Sequence, residues 1–385
     1  MRRLTRPSLL FLAVLGSACG ADDPSSDGEG SVGTNPPSGE TSGDSDGSKQ
    51  DAVEESDGDS ESGSEPEPEP GDETEGGADE STGGAAPPVQ CAFEGPVFDE
   101  AHLQTLVSTL ASDAMQGRRP GSPGDLMTRA IIQEHFECLG LAPAADAGAY
   151  QQPFVDAYGQ SSANVLAVLP GSDPQLANDV IVISAHHDHL GVLDGEVLNG
   201  ANDNATGTVA LMALAETFAT LEIAPSRTLV FAAYGSEEVE LDGSFYYVDN
   251  PPAALPMDRV VYNVNLDMIG TFTVNGGAYA YGSFPDTPAR GILEELLEAP
   301  TILTMVYGMD GGGASDYDAF CYFDIPYLYF ETFDEECWHE SCDDADRIDY
   351  EHFASLAALS YELTLALANT DIDLVAARDA LGCPA

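Results

Sequence analysis

The sequence contains very little positive charge. Of its 385 residues, 12 are lysine or arginine and 67 are aspartate or glutamate, which gives a formal net charge of −55. A surface of this sign repels phosphate groups, so the composition excludes a basic nucleic-acid interface and electrostatic adsorption to anionic lipids. We therefore expect no nucleic-acid partner.

Long apolar runs and cysteines are also scarce. No stretch reaches the roughly 20 apolar residues that a membrane-spanning helix needs. The seven cysteines are an odd number, so one of them needs a separate explanation. Residues 89–385 have no Gly-x-Ser-x-Gly turn for a nucleophilic serine, and the sequence has no phosphate-binding loop that ends in lysine.

Residues 1–19 have the pattern of a secretory signal. A basic start precedes the apolar run Leu9–Leu15, and three small residues then lead to Cys19. This ending resembles a bacterial lipobox, in which the cysteine is lipidated and becomes the new N-terminus. We expect an exported protein that is anchored in the outer membrane through Cys19, at the cell surface or facing the periplasm, or else is secreted. Membrane contact is expected only through this anchor.

The rest of the chain divides into a linker and one folded domain. Residues 20–88 are rich in Gly, Ser, Asp, Glu and Pro and have almost no large apolar side chains. Such a segment cannot bury enough surface to offset the entropy of ordering it, so the composition predicts a disordered acidic linker. The remaining residues, 89–385, are predicted to form a single catalytic domain, and we expect a monomer.

The domain has an α/β pattern. Short apolar runs typical of buried strands occur at Ala163–Leu169, Val180–Ser184, Thr228–Ala233, Val260–Leu266 and Pro326–Phe330. Helical periodicity occurs around 103–110 and 126–139, then at Ala205–Leu221, Thr287–Leu297 and Tyr350–Ala368. Strands that alternate with helices predict a mainly parallel sheet with helices on both faces.

Polar side chains follow three of these predicted strands. His186–His189 follows the second strand, Glu237 and Glu238 follow the third, and Asp267 follows the fourth. In an open α/β sheet, ligands bind beyond the carboxyl ends of the strands. Two adjacent glutamates at such an end are explained if one binds a metal and the other transfers a proton.

Two further segments add possible ligands. Asp203 lies just before a predicted helix, where it could cap the helix or offer its carboxylate to a metal. His339 lies between Cys337 and Cys342, which in an exported protein would close a tight disulfide loop and hold the histidine rigid. Two imidazoles with three carboxylates, one of them bridging, form a natural ligand set for a pair of zinc ions.

These segments together resemble a known family, the co-catalytic dizinc exopeptidases related to bacterial secreted leucine aminopeptidases (family twenty-eight of the metallopeptidases). The matching motifs, in order over about residues 180–350, are Ala-His186-x-Asp188-His, Asn202-Asp203-Asn, Glu237-Glu238, Asn-Leu-Asp267-Met-Ile-Gly, Ser315-Asp316 and Cys-x-His339-x-x-Cys-Asp. The resemblance implies a three-layer α/β fold with a central mixed, mostly parallel sheet flanked by helices.

The resemblance also implies a role for each matching residue. His186 and Asp267 would bind one Zn²⁺, and Glu238 and His339 would bind the second. The bridging ligand would be Asp203. Glu237 would be the general base of a water activated by the two ions, and Asp188 would orient His186 through its other ring nitrogen.

Several positions depart from the family pattern, among them Tyr317 and the pair Glu240-Leu241, and two further departures bear on the site. His187 replaces an aromatic residue, so His186 and His187 are both candidates for the metal ligand, although the spacing favours His186. Trp338 stands where relatives often carry a tyrosine that donates a hydrogen bond to the reacting carbonyl, so the source of this bond is left open.

The function expected from these features is a metal-dependent aminopeptidase that removes N-terminal residues from peptides. Other enzymes on the same scaffold, a carboxypeptidase or a glutaminyl cyclase, remain as alternatives. A carboxypeptidase needs cations for a C-terminal carboxylate, and the domain has eight arginines and no lysine. A non-catalytic surface-binding lipoprotein is the third possibility, and such a protein has no need to keep all five ligands and the base.

Overall fold

The computed structural model describes residues 93–272, 276–308 and 314–383. These residues belong to one compact unit. The predictions for the signal segment 1–19, for Cys19, for the linker 20–88 and for the domain start at residue 89 concern residues outside these ranges. No helix within them is long and apolar enough to cross a membrane.

The described residues form a nine-stranded mixed sheet and a separate hairpin. In chain order the strands are β1 (Ala142–Pro143), β2 (Gln151–Val155), β3 (Ser161–Leu169), β4 (Val180–His186), β5 (Gly191–Leu193), β6 (Glu196–Leu198), β7 (Thr228–Tyr234), β8 (Val260–Leu266), β9 (Ala278–Tyr281), β10 (Met305–Tyr307) and β11 (Tyr327–Glu331). The sheet has the order β1-β3-β7-β4-β8-β11-β9-β10, with β2 also paired to β3, and β5 and β6 form the hairpin.

The central strands of the sheet are paired in parallel. Strands β7, β4, β8 and β11 run parallel to one another. The pairs of β3 with β7 and of β11 with β9 are antiparallel and lie toward the two edges. The predicted fold class, an α/β fold with a mixed sheet flanked by helices, is confirmed.

Helices cover both faces of this sheet. They are α1 (Glu100–Leu110), α2 (Pro123–Cys138), α3 (Gly207–Ala219), α4 (Asp242–Asp249), α5 (Pro288–Leu296), α6 (Tyr317–Tyr322), α7 (Tyr350–Asn369) and α8 (Leu374–Leu381). Ile181, Ile183 and Ala185 of β4 belong to the larger core, which includes residues of α1, α2, α3 and α7. The alternate residues Val180 and Val182 belong to a second core with residues of α4 and α6. Because successive side chains of a strand point to opposite faces, the two cores identify the outer layers.

Two disulfides join described cysteines. Cys337 and Cys342 are bonded, which confirms the predicted loop around His339. Cys321 at the end of α6 is bonded to Cys383 after α8, a pairing that the sequence left open. Cys138 is also disulfide-bonded, whereas Cys19 and Cys91 lie outside the described residues.

Candidate metal centre

Three neighbouring strands bring four of the predicted site residues together at the carboxyl ends of the central strands. His186 is the last residue of β4, and Asp267 directly follows β8. Glu237 and Glu238 follow β7, which pairs with β4 on the side opposite to β8. The parallel central strands therefore place an imidazole and three carboxylates at adjacent carboxyl ends.

The first group of side chains surrounds the His186 imidazole. Its Nε2 lies 3.2 Å from Oδ1 of Asp267 and 3.3 Å from Oδ1 of Asp203. Oε2 of Glu237 is farther from this nitrogen, at 3.9 Å. His186, Asp203 and Asp267 thus converge closely, with Glu237 beside them.

The second group surrounds the His339 imidazole and shares Asp203 with the first. Nε2 of His339 lies 3.3 Å from Oδ2 of Asp203 and 3.1 Å from Oε2 of Glu238. The two carboxylate oxygens of Asp203 therefore face different groups: Oδ1 faces His186 and Oδ2 faces His339. This division is the geometry that a bridging ligand requires.

The distances in both groups fit zinc. With zinc–ligand bonds of about 2.0–2.1 Å, two ligand atoms of a tetrahedral site lie about 3.3 Å apart. The four close separations, two at the imidazole of each group, are 3.1–3.3 Å. The donors are imidazole nitrogens and carboxylate oxygens, which zinc prefers when no thiolate is present.

Hydrogen bonds to the main chain hold Asp203 in its position between the two groups. The Asp343 carboxylate accepts hydrogen bonds from the amides of Asn202, at 2.8 Å, and Asp203, at 3.0 Å. The Asn202 side-chain oxygen accepts from the Gly270 amide at 2.8 Å, which ties the Asp203 segment to the segment after β8. Asp343 follows the disulfide loop in the sequence, but no pattern there indicated this contact.

A serine from another segment orients Asp267. The hydroxyl of Ser315 donates to Oδ2 of Asp267 at 2.5 Å, and Asn265 Nδ2 donates to that hydroxyl at 2.8 Å. Oδ1 of Asp267 is left facing His186. The Ser315-Asp316 motif thus enters the site through a hydrogen bond to a ligand carboxylate.

Asp188 contacts the two glutamates. Its carboxylate accepts the amide of Glu237 at 3.0 Å and that of Glu238 at 3.3 Å. The sequence-based hypothesis has Asp188 orient His186. In the structure, Nδ1 of His186 lies 3.2 Å from the main-chain oxygen of Asp188 and 3.8 Å from its carboxylate. The Asp188 segment therefore contacts His186 mainly through its main chain, while its carboxylate fixes the turn that carries the glutamates.

The structure separates the three histidines that end and follow β4. Nε2 of His187 lies 3.2 Å from Oδ1 of Asp125, on α2, so His187 points away from the ligand groups. His189 points toward the second group, and its Nδ1 lies 2.8 Å from Oε1 of Glu238. His186 is therefore the imidazole that faces Asp203 and Asp267, as its spacing favoured.

The contact between His189 and Glu238 is a hydrogen bond to a candidate ligand. It is shorter than the separations that fit a tetrahedral metal site, and Nδ1 of His189 lies 3.9 Å from Oδ2 of Asp203. Glu238 uses Oε1 for His189 and Oε2 for His339. His189 thus holds Glu238 in the orientation in which its other oxygen faces the metal position.

Replacing His189 by alanine is expected to weaken zinc binding at the second group by about 10- to 100-fold, because Glu238 loses its orienting donor. H189N keeps a side-chain N–H near the position of Nδ1 and should retain part of the affinity. Competition with a chromophoric chelator measures both affinities. The control is H102A, on α1, which should keep the wild-type zinc affinity. Equal zinc affinity in H189A and wild type would contradict this role of His189.

Trp338 lies on His339. The two rings stack with centroids 4.1 Å apart at 27°. The indole is 39 % exposed, so it shields one face of the imidazole while its outer face meets solvent. Together with the Cys337–Cys342 bond, this stacking restricts the orientation of His339.

A buried arginine, Arg118, lies near the carboxylates of the site. The Arg118 guanidinium is fully buried and donates to the carbonyls of Leu110, His187, Asn199 and Gly200 at 2.6–2.9 Å. Burial lowers the pKa of Arg118 to about 10, although the nearby carboxylates of Asp343 and Asp203 oppose this shift. The guanidinium group therefore stays protonated at neutral pH. It joins the segment after β4 to the segment before Asp203 and supplies a permanent counter-charge.

Replacing Arg118 by methionine should cost about 3–5 kcal/mol in the free energy of unfolding, because it removes four buried hydrogen bonds to carbonyls and leaves the carboxylates without their cation. Urea denaturation at pH 7 measures this loss. The neighbouring R119M is the matched control, since Arg119 is exposed. A loss for R118M no larger than that for R119M would contradict the proposed contribution.

The charge of the site residues depends strongly on their surroundings. Burial raises the pKa of Glu237 well above its usual range; His186 opposes this shift, and Asp267 and Glu238 reinforce it. Burial lowers the pKa of His339, but its hydrogen bonds to Asp203 and Glu238 dominate and raise it to about 10. Without a metal, protons on the imidazoles balance part of the carboxylate charge, and zinc must displace them to bind.

Comparison with protein-family models gives one match. The model described as Peptidase family M28 matches residues 164–364, just over half of the 385-residue chain. The matched range contains all seven residues assigned to the site from the sequence.

Curated relatives share the site region over only part of their length. The chain is 31% identical over 186 residues to leupeptin-inactivating enzyme 1 of Streptomyces exfoliatus, an alignment of 48% of this chain and 38% of that protein. It is 36% identical over 94 residues to aminopeptidase YwaD of Bacillus subtilis, 24% of this chain and 19% of that protein. The chain thus spans less than half the length of these relatives.

Solved structures share the fold. The LapA aminopeptidase of Legionella pneumophila superposes with a TM-score of 0.57 at 22% identity, over 71% of this chain and 73% of that one. BSAP, a zinc aminopeptidase from Bacillus subtilis, superposes with a TM-score of 0.57 at 16% identity, over 72% and 97%. A glutaminyl cyclase of Porphyromonas gingivalis has a TM-score of 0.55 at 17% identity over 70% and 99%, so the fold alone does not distinguish peptidase from cyclase.

Proposed function

This chain belongs to peptidase family M28, and from that premise we propose that it is a metal-dependent aminopeptidase that uses two zinc ions to remove N-terminal residues from peptides. The observation that carries the proposal is the position of Asp203 between the two groups. Its Oδ1 is 3.3 Å from His186 and its Oδ2 is 3.3 Å from His339. A single zinc ion leaves one of these oxygens and one imidazole without a use.

Each group would hold one ion. His186 and Asp267 would bind the first, Glu238 and His339 the second, and Asp203 both. Zinc bound there would lower the pKa of a water and polarise the scissile carbonyl. The residues that orient the ligands, Ser315 on Asp267 and His189 on Glu238, would keep the positions fixed while the substrate binds.

Glu237 would transfer the proton. Its carboxylate lies beside the His186 group without being one of the close ligands. Its amide is bound to Asp188, which fixes the main chain from which the side chain extends. We propose that Glu237 accepts a proton from the attacking water and passes it to the leaving amine. The raised pKa of this half-buried carboxyl suits a base that must also act as an acid, and a bound cation would moderate it.

The charge of the site favours an N-terminal substrate over a C-terminal one. Glu237 and Asp267 lie on the same side of the centre and can receive a free α-ammonium group. Among the described residues, Arg118 lies near the candidate metal centre. Its N–H groups are already used in hydrogen bonds to main-chain carbonyls. No cation is therefore presented to a C-terminal carboxylate in the described part of the site.

Mass spectrometry of a peptide mixture incubated with the zinc-loaded protein tests the proposal. Stepwise shortening from the N-terminus that stops with a chelator, together with two zinc ions per chain by elemental analysis, is the expected result. Loss of ammonia from N-terminal glutamine would instead indicate a cyclase, and shortening from the C-terminus a carboxypeptidase. No change with two zinc ions bound would refute peptidase activity.

A further inference from the structure

Glu331 lies in line with the metal-ligand side chains. In the pairing of β11 with β8, Tyr329 is opposite Asn265 and Phe330 is opposite Leu266, so Glu331 is opposite Asp267. The amide of Asp267 also donates to the carbonyl of Phe330 at 3.1 Å. Because side chains alternate along a strand, Glu331 projects from the same face of the sheet as Asp267, one strand spacing away, or about 4.8 Å.

Tyrosine rings surround this carboxylate. Tyr329 donates its hydroxyl to Oε1 of Glu331 at 3.0 Å. Tyr279 is paired with Glu331 across β9. Tyr281 stacks on Tyr279 with centroids 5.6 Å apart and on Tyr329 with centroids 5.4 Å apart. Tyr329 is buried, whereas Tyr279, Tyr281 and Glu331 are half-buried, so the two rings and the carboxylate keep part of their surface accessible.

The described residues supply no positive partner for Glu331. Burial raises the pKa of Glu331 to about 7; the hydroxyls of Tyr329 and Tyr281 oppose this shift, and the carboxylates of Asp267 and Asp203 reinforce it. Arg290, on the neighbouring α5, lies over the Tyr307 ring at 3.4 Å and is paired with Glu294. A half-buried carboxylate beside other carboxylates is unfavourable unless a cation offsets it. Aromatic faces next to a carboxylate form a surface that binds ammonium and guanidinium groups well.

From this arrangement we propose that Glu331, with the rings of Tyr279 and Tyr281, forms the subsite for the side chain of the substrate's N-terminal residue and selects lysine or arginine. The inference rests on the proposed aminopeptidase function. With the scissile carbonyl at the ligand groups, the α-ammonium lies closest to Glu237 and Asp267. Glu331 is one strand farther away, and a lysine side chain, which extends roughly 6 Å from Cα to Nζ, spans that distance.

The test compares N-terminal lysine with norleucine, which has the same apolar stem and no charge. We expect the zinc-loaded wild type to cleave Lys-Ala-Ala at least tenfold more efficiently, in kcat/KM, than Nle-Ala-Ala, since a charged hydrogen bond in a partly desolvated site has that effect. E331Q should lose this preference, measured as the ratio of the two kcat/KM values with the zinc content determined on the same sample. E298Q, at an exposed site on the turn after α5, is the matched control and should keep the preference.

Three results separate the possibilities. Equal or better cleavage of the norleucine peptide by wild type, or a lysine preference that persists in E331Q, would overturn the subsite while leaving the aminopeptidase function intact. Absence of any N-terminal cleavage by zinc-loaded wild type would refute the function itself. Calorimetric binding of L-lysine and L-norleucine then decides on the subsite separately: tenfold tighter lysine binding that is lost in E331Q supports it, and equal binding by wild type rejects it.

Discussion

Replacing Glu237 by glutamine is expected to lower kcat by about 10²- to 10⁴-fold with little change in zinc content. Glutamine has nearly the same shape as glutamate and keeps the main-chain contact of residue 237 with Asp188. It cannot accept the proton of the attacking water. The close contacts of His186 are with Asp203 and Asp267, so removing the charge of Glu237 leaves these ligands in place.

A matched variant makes this measurement specific. Glu240 follows in the same turn and is exposed, so E240Q removes one carboxylate from the same segment without touching the ligand groups. Steady-state kinetics on an N-terminal leucine or lysine amide, with zinc content measured on the same sample, gives both quantities. Wild-type kcat in E237Q would assign the base to another group, and a loss of zinc would make Glu237 a ligand instead.

Replacing Asp203 by asparagine should have the largest effect on metal binding. Each oxygen of Asp203 faces a different imidazole, so both groups lose a charged ligand atom at once. We expect the zinc content to fall from two ions per chain to fewer than one, and activity to fall at least 10³-fold, because a neutral amide oxygen is a poor zinc ligand and the bridge is lost.

Thermal unfolding gives a readout of Asp203 that does not depend on activity. Zinc that binds only the folded protein raises the midpoint of unfolding, and this rise should largely disappear in D203N. D371N, at an exposed position before α8, should keep both the zinc content and the rise. If D203N lost just one ion and kept the other at wild-type affinity, Asp203 would belong to one group and would not bridge.

The central strands of the sheet could be predicted from the sequence. The runs at 163–169, 180–184, 228–233, 260–266 and 326–330 correspond within two residues to β3, β4, β7, β8 and β11. These strands lie inside the sheet and are covered on both faces, so nearly all of their residues are apolar. The short strands β1, β9 and β10 did not stand out, because strands of two to four residues contain too little apolar sequence to differ from a loop.

The contacts that orient the ligands were beyond the reach of the sequence. Asp343 binds the amides of Asn202 and Asp203 from more than a hundred residues away in the chain. Arg118 likewise donates to carbonyls that follow it by 69 to 82 residues. In a chain with 67 acidic residues, one more carboxylate such as Glu331 gives no local signal that it lies beside Asp267.

The sequence by itself determined which side chains end the central strands, and therefore the set of imidazoles and carboxylates that meet at one sheet edge. Buried strands can be recognised in the sequence because they are almost entirely apolar. Polar residues that directly follow such a strand are therefore easy to identify. Only the tertiary structure decided how these side chains divide: that His187 faces Asp125, that His189 binds Glu238, and that Asp203 faces both groups. Side-chain direction beyond a strand end depends on loop geometry and on contacts between distant segments, and neither has a local pattern in the chain.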